Sequence, residues 1–226
     1  MSQTIECKAL QTMLIGLLSC RCPVSETTEK LLWARFFQVR NEEVLDLGPF
    51  LEIADKNPVP TPLDHLVEFC SYGHDCPQGM HISHNDVLRY FCSRFHYRGM
   101  SAHIDPLIVR DVPSFLVTHM MLPATLVDGT LGSMRVYLPG GKRVIYFTHV
   151  AFAPDIEHKP GSVYGVHMGA ALTILDTAQV GICWNHLAFK EFEFLVQFVD
   201  NVDFRTFQHL GNHQQRIEQR IGRNYT

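Results

Sequence analysis

Apolar residues recur at helical spacing through the first third of the chain. Leu10, Leu14, Leu17 and Leu18 lie on one side of a helix predicted over residues 4–19. Cys20-Arg21-Cys22-Pro23 ends it. Ser25 opens a second helix, with Glu26 and Glu29 in its first turn and an apolar stripe of Leu31, Leu32, Ala34, Phe36 and Phe37. Residues 41–47 are expected to continue as a further helical turn. Residues 55–62, DKNPVPTP, hold three prolines and predict a linker. They divide an N-terminal helical region, residues 1–57, from a main domain, residues 58–226. Residues 63–72 predict a short helix. Ser83 or Asn85 caps the next one, whose core face is Val87, Leu88, Phe91 and Phe95.

After Gly99 the pattern changes to branched and aromatic runs. PLIVRDV, SFLVTHMML, MRVYLP and KRVIYFTHVAF predict a mainly antiparallel sheet between about residues 104 and 153. Pro139-Gly140-Gly141-Lys142 reads as a hairpin turn. Residues 163–183 are small and apolar and predict a tightly packed helix. The aromatics from Phe189 to Phe207 predict one or two more strands. At the C-terminus Arg216, Arg220 and Arg223 share a helical stripe beside Ile217 and Ile221. The fold class is therefore α+β, with N-terminal helices, a Cys/His knuckle at residues 70–96, a mainly antiparallel sheet and a C-terminal amphipathic helix.

Composition narrows the function classes. The 226 residues are 46% hydrophobic and 19% charged, enough for a substantial core and too apolar for global disorder. A net charge of −4 does not suit a general nucleic-acid binder. The apolar run at residues 9–20 is too short to span a bilayer and lacks a basic flank, so no membrane role or cleavable signal peptide is expected. Seven cysteines, an odd number, fit a reduced intracellular compartment, where Cys/His clusters favour metal over disulfides.

The chemistry concentrates in Cys70–His96, which holds three of the seven cysteines and four of the thirteen histidines. Thiolate and imidazole are the ligands tetrahedral zinc prefers. Gly73-His74-Asp75-Cys76-Pro77-Gln78-Gly79 can turn sharply enough to aim several side chains at one point. Cys70, His74, Cys76 and His81 are the candidate ligands of a structural zinc, with Cys20 and Cys22 as substitutes. Cys92 and His96, one turn apart, also suit chelation. The competing reading is that these cysteines and histidines are core residues, because the spacing matches no standard finger.

Catalytic readings are weaker. His119, His149 and His167 on candidate strands invite a zinc-dependent hydrolase or two-histidine phosphoesterase. In the Thr-His pairs the hydroxyl precedes the histidine by one residue, which places it on the opposite face of a strand. Cys183 near His186 is not by itself catalytic geometry. No Gly-rich phosphate loop lies between a strand and a helix. The arginines of the C-terminal stripe, with Lys142 and Arg143, make too small a patch for specific nucleic-acid binding. They read as a solvated helix face or a nuclear-targeting element.

From Cys70 to Trp184 the chain carries four segments in order: HDCPQGMHI, DVLRYFCSRFHYRGMSAHIDPLIVRDV, GGKRVIYFTHVAF and GSVYGVHMGAALTILDTAQVGICW. In this series it resembles the adenovirus early-region-four 34-kilodalton protein family, and the C-terminal arginines look like a shortened form of that family's arginine-rich helix. The resemblance implies a non-catalytic early regulatory protein of a DNA virus, acting in the host nucleus and also the host cytoplasm. It implies recruitment of a cullin ubiquitin ligase through elongins B and C. It also implies a second viral early protein as partner, degradation of host antiviral or DNA-damage proteins, and support for late mRNA export. The family's elongin-binding helix is matched by Leu88-x3-Cys92, where Val87 replaces a small residue and His96 an aliphatic one. The resemblance implies a nuclear-targeting role for Arg216, Arg220 and Arg223.

Overall fold

The apolar stripe nearest the N-terminus folds as a strand followed by a helix. In a computed structural model the described residues are 3–19, 24–73, 79–93, 96, 121–128, 133–137, 144–147, 150–186 and 218–225. Strand β1 spans Gln3–Glu6 and helix α1 spans Cys7–Ser19. The helix expected over residues 4–19 thus begins three residues late. Ile5 and the residues before it pair in a sheet instead. Helix α1 buries nearly every position from Ala9 to Ser19, polar Thr12 and Ser19 included. A helix that is apolar all round belongs in the middle of a core. Among the described residues no helix is long and apolar enough to cross a membrane.

Helix α2 (Glu26–Val39) starts where Ser25 accepts a hydrogen bond from the Thr28 backbone. Strand β2 (Val44–Asp46) follows, so the expected helical turn at residues 41–47 is a strand. It pairs antiparallel with β1, Leu45 opposite Ile5. Helices α3 (Gly48–Ala54) and α4 (Pro62–Gly73) flank the proline-rich connection. Asn57 pins that connection: its carbonyl oxygen accepts from the Ser25 backbone at 2.9 Å and its amide donates to Val59 at 2.8 Å. Strand β3 (Met80–Ile82) then pairs parallel with β1. The three-stranded sheet β2-β1-β3 therefore takes strands from both sides of residues 57–58.

Helix α5 (His84–Cys92) leads into a six-stranded sheet. Its strands are β4 (Leu122–Asp128), β5 (Ser133–Tyr137), β6 (Val144–Phe147), β7 (Ala151–Phe152), β8 (Val163–His167) and β9 (Ala170–Leu175). Their order is β6-β5-β4-β8-β9-β7, antiparallel except for the β7–β9 pair. Helix α6 spans Thr177–His186, and residues 218–225 form the C-terminal helix α7. The chain is an α+β protein.

The single helix expected at residues 163–183 is replaced by a hairpin and a helix. Met168 and Gly169 both adopt positive φ, 50° and 78°, between the paired residues His167 and Ala170. Two such residues make the tight turn whose twist matches a hairpin. Strands β8 and β9 are buried on nearly every residue, so they show an unbroken apolar run rather than an alternation. Glycine allows close approach at two places. A Cβ on Gly16 of α1 would lie 2.2 Å from Phe91 Cζ, and one on Gly165 of β8 would lie 2.6 Å from Met121 Sδ. The expected strands at residues 189–207, the Pro139–Lys142 turn and the Cys20–Pro23 stop lie outside the described residues.

Candidate functional site

Helix α5 is the element on which the chemistry converges. Ser83 and Asp86 form a capping box: Ser83 Oγ accepts from the Asp86 backbone N–H at 3.3 Å, and Asp86 Oδ2 accepts from the Ser83 backbone N–H at 3.0 Å. Arg89 closes an ion pair with Asp86 at 3.0 Å. His84, Val87, Leu88, Tyr90, Phe91 and Cys92 are all buried.

At the start of α5, His84 joins four elements. Its backbone N–H donates to Glu6 of β1 at 2.7 Å. Its Nε2 meets Thr12 Oγ1 of α1 at 3.1 Å, and its Nδ1 meets Gln179 Nε2 of α6 at 3.0 Å. The tautomer follows from Gln179. The Gln179 carbonyl oxygen accepts from the Asp176 backbone at 3.1 Å, while Asp176 Oδ1 accepts from the Gln179 backbone at 2.8 Å. That capping box fixes the amide, so Nε2 of Gln179 donates to His84 Nδ1. His84 then donates through Nε2–H to Thr12. Burial, with the positive charge of Lys8, holds this imidazole neutral down to a pKa of about 4, against a smaller opposing effect of Asp176.

At the other end of α5, Phe91 carries two buried imidazoles. His96 and His167 are fully enclosed. Their ring centroids are 5.0 Å apart, and 4.9 and 5.0 Å from Phe91. Tyr90 packs on His96 at 4.8 Å. Cys92 of α5 and Cys183 of α6 are both buried and interact electrostatically, and Cys92 Sγ–H donates to the Met121 carbonyl at 3.7 Å. The contact with Cys183, and then burial, push the Cys92 thiol well above its ordinary range.

The four candidate zinc ligands divide. Cys70 is buried in the core on α4, where burial, with Asp86 adding to it, pushes its thiol up to about 12. A thiolate there needs a cation beside it. His81 is exposed on β3, its Nδ1 hydrogen-bonded to Thr4 Oγ1 at 3.0 Å and its Nε2 3.9 Å from Glu6. The described half of the quartet is thus split between interior and surface. His74 and Cys76 lie outside the described residues, as do the substitutes Cys20 and Cys22. Among the described residues no three His, Cys, Asp or Glu side chains converge to hold a metal ion.

Leu88 and Cys92, the elongin-like pair, are buried inside the chain itself. Of the arginine stripe, Arg216 lies outside the described residues and Arg223 pairs with Glu26 at 3.0 Å on the surface. Arg220 is held inward. Its Nε donates to Glu29 Oε2 at 3.0 Å, and its terminal nitrogens reach the same carboxylate and the Leu17 and Leu18 carbonyls at the end of α1. Of the strand histidines, His119 and His149 lie outside the described residues and His167 sits in the aromatic cluster.

Spacing along the chain gives neither His84 nor Gln179 a role in the site, and it does not bring Cys183 to Cys92. The signal for Gln179 is the Asp176-x-x-Gln179 spacing, the signature of a helix start inside an apparently continuous apolar run. Comparison of the chain with protein-family models, with curated proteins and with solved structures found no match to any of them.

Proposed function

We propose that the chain acts by binding, as a non-catalytic adaptor of the early viral class that its ordered segments from Cys70 to Trp184 resemble. In this reading it brings elongins B and C and a host cullin ligase to host antiviral or DNA-damage proteins. It works with a second viral early protein in the host nucleus and cytoplasm, and supports late mRNA export. One observation carries the non-catalytic part. The thiols of Cys70 and Cys92 and the imidazole of His84 are kept uncharged inside the core, where they hold elements together. A nucleophile needs a thiolate rather than a thiol, and a general base, which is reactive when neutral, needs the access to substrate that a core position denies.

The buried positions of Leu88 and Cys92 set a condition on this reading. Elongin binding through α5 requires that helix to leave the core; binding elsewhere leaves it in place. Zinc is proposed at the knuckle on Cys70, His74, Cys76 and His81, which requires the interior Cys70 and the surface His81 to be drawn to one ion. The test is affinity purification of the tagged chain from infected or transfected cells, read by mass spectrometry, with zinc quantified on the same sample. Co-eluting elongins and a cullin are the expected result. A zinc-loaded chain that brings down neither overturns the ligase adaptor.

A further inference from the structure

We propose that His84 and Gln179 form a proton-operated latch that holds helix α6 on helix α5 and releases it on acidification. The inference stands on the hydrogen-bond geometry and is independent of which partner the protein binds.

The latch closes only when His84 is neutral. Its Nδ1 is then an acceptor for the Gln179 amide N–H at 3.0 Å, and its Nε2–H is a donor to Thr12 at 3.1 Å. Adding a proton to Nδ1 turns that acceptor into a donor and sets it against a second donor. Gln179 cannot answer by rotating its amide. Its carbonyl oxygen is committed to the Asp176 backbone, so a flip breaks the capping box at the start of α6. The Gln179 amide also lies 3.5 Å from Asn85 Oδ1, a second contact that the same flip would lose.

The charged groups around His84 come from each element packed on it. Lys8 of α1 opposes the proton and Asp176, just before α6, favours it. Glu6 of β1 accepts the His84 backbone N–H and stands 3.9 Å from His81 of β3. Asp86 of α5 is engaged by Ser83 and Arg89. None of these contacts supplies an acceptor to a protonated Nδ1. Beyond the latch, α6 is held by apolar packing, with Cys183 inside the main core and Val180 and Ile182 against it, so the latch adds to that packing an increment that acid removes.

Opening takes up one proton, because the exposed imidazole titrates near its ordinary value and the latched one near 4. The opening equilibrium then rises about tenfold per pH unit between about pH 6 and pH 4.5. Amide hydrogen exchange of the full chain, corrected for the intrinsic pH dependence, reads this directly in residues 177–186. The expected result is that slope in these amides, with α1 keeping its protection. His84→Gln removes the titrating group and should abolish the slope. Gln179→Glu keeps the helix cap and gives a protonated His84 an acceptor, so it should hold α6 closed in acid even if His84→Gln fails to fold. An α6 that keeps its protection to pH 4.5, or one that loses it equally in Gln179→Glu, overturns the latch.

Discussion

Gly16 shows how one missing side chain sets the spacing of two helices. Phe91 of α5 occupies the volume a Cβ would need, at 2.2 Å. Gly16→Ala should therefore cost about 2–3 kcal/mol in urea unfolding, the usual penalty of overpacking a full core. Adding Phe91→Leu should recover part of that loss, because the two residues share one contact. His84 makes a second prediction at this scale. Its folded pKa, about 4, lies below the ordinary 6.5. The unfolded chain thus binds the proton more readily. The contribution of His84 to stability is fully present above pH 6.5 and is lost as pH falls toward 4. Unfolding free energies across that window should drop by about 2–3 kcal/mol more in the native chain than in His84→Gln.

At the level of elements, the starts of α2 and α5 are written locally, whereas the end of α1 is finished by a distant group. Ser83→Ala removes one half of a capping box and should cost about 1 kcal/mol, with the loss of protection concentrated in the first turn of α5. The end of α1 depends on Arg220, which donates to Leu18 at 2.6 Å and to Leu17 at 3.4 Å. A cation there also suits the negative end of a helix. Glu29, buried in the first turn of α2, holds that guanidinium and accepts from Asn224 at 2.7 Å. Glu29→Ala strands an enclosed arginine and should cost about 3–5 kcal/mol by chemical denaturation. Glu26→Ala, which breaks the exposed pair with Arg223, should cost little by comparison.

On the scale of the whole molecule, the chain is closed by its own terminus. Ile221 enters the main core, and Tyr225 packs on Trp33 at 4.8 Å and on Phe37 at 5.4 Å. Burial, with Asp155 adding to it, raises the Tyr225 phenol. Deleting residues 218–226 should uncover Trp33 and leave Glu29 unpaired. In a Trp184→Phe background, where Trp33 is the only remaining tryptophan, the deletion should shift fluorescence emission to the red. Unchanged emission would mean that α7 does not cover α2 in solution.

Much of this was legible from residue order alone. Helices α2, α4 and α5 follow from periodic apolar positions and from Ser25 and Ser83 at their starts, since caps and amphipathic stripes are local properties. The change from helical to strand chemistry after Gly99 marked the β-rich half. Other features needed the tertiary structure. Gln3–Glu6 and Val44–Asp46 are strands because each finds a pairing partner far along the chain, and nothing in a four-residue window announces that partner. The Val163–Leu175 hairpin is hidden by burial on both faces, which erases the alternation that identifies a strand. The same distance effect governs the site. Spacing could place Cys92 near His96, but only folding brings Cys183 to Cys92, His167 to His96 and Gln179 to His84. Each of those pairs joins elements whose separation is set by packing rather than by sequence.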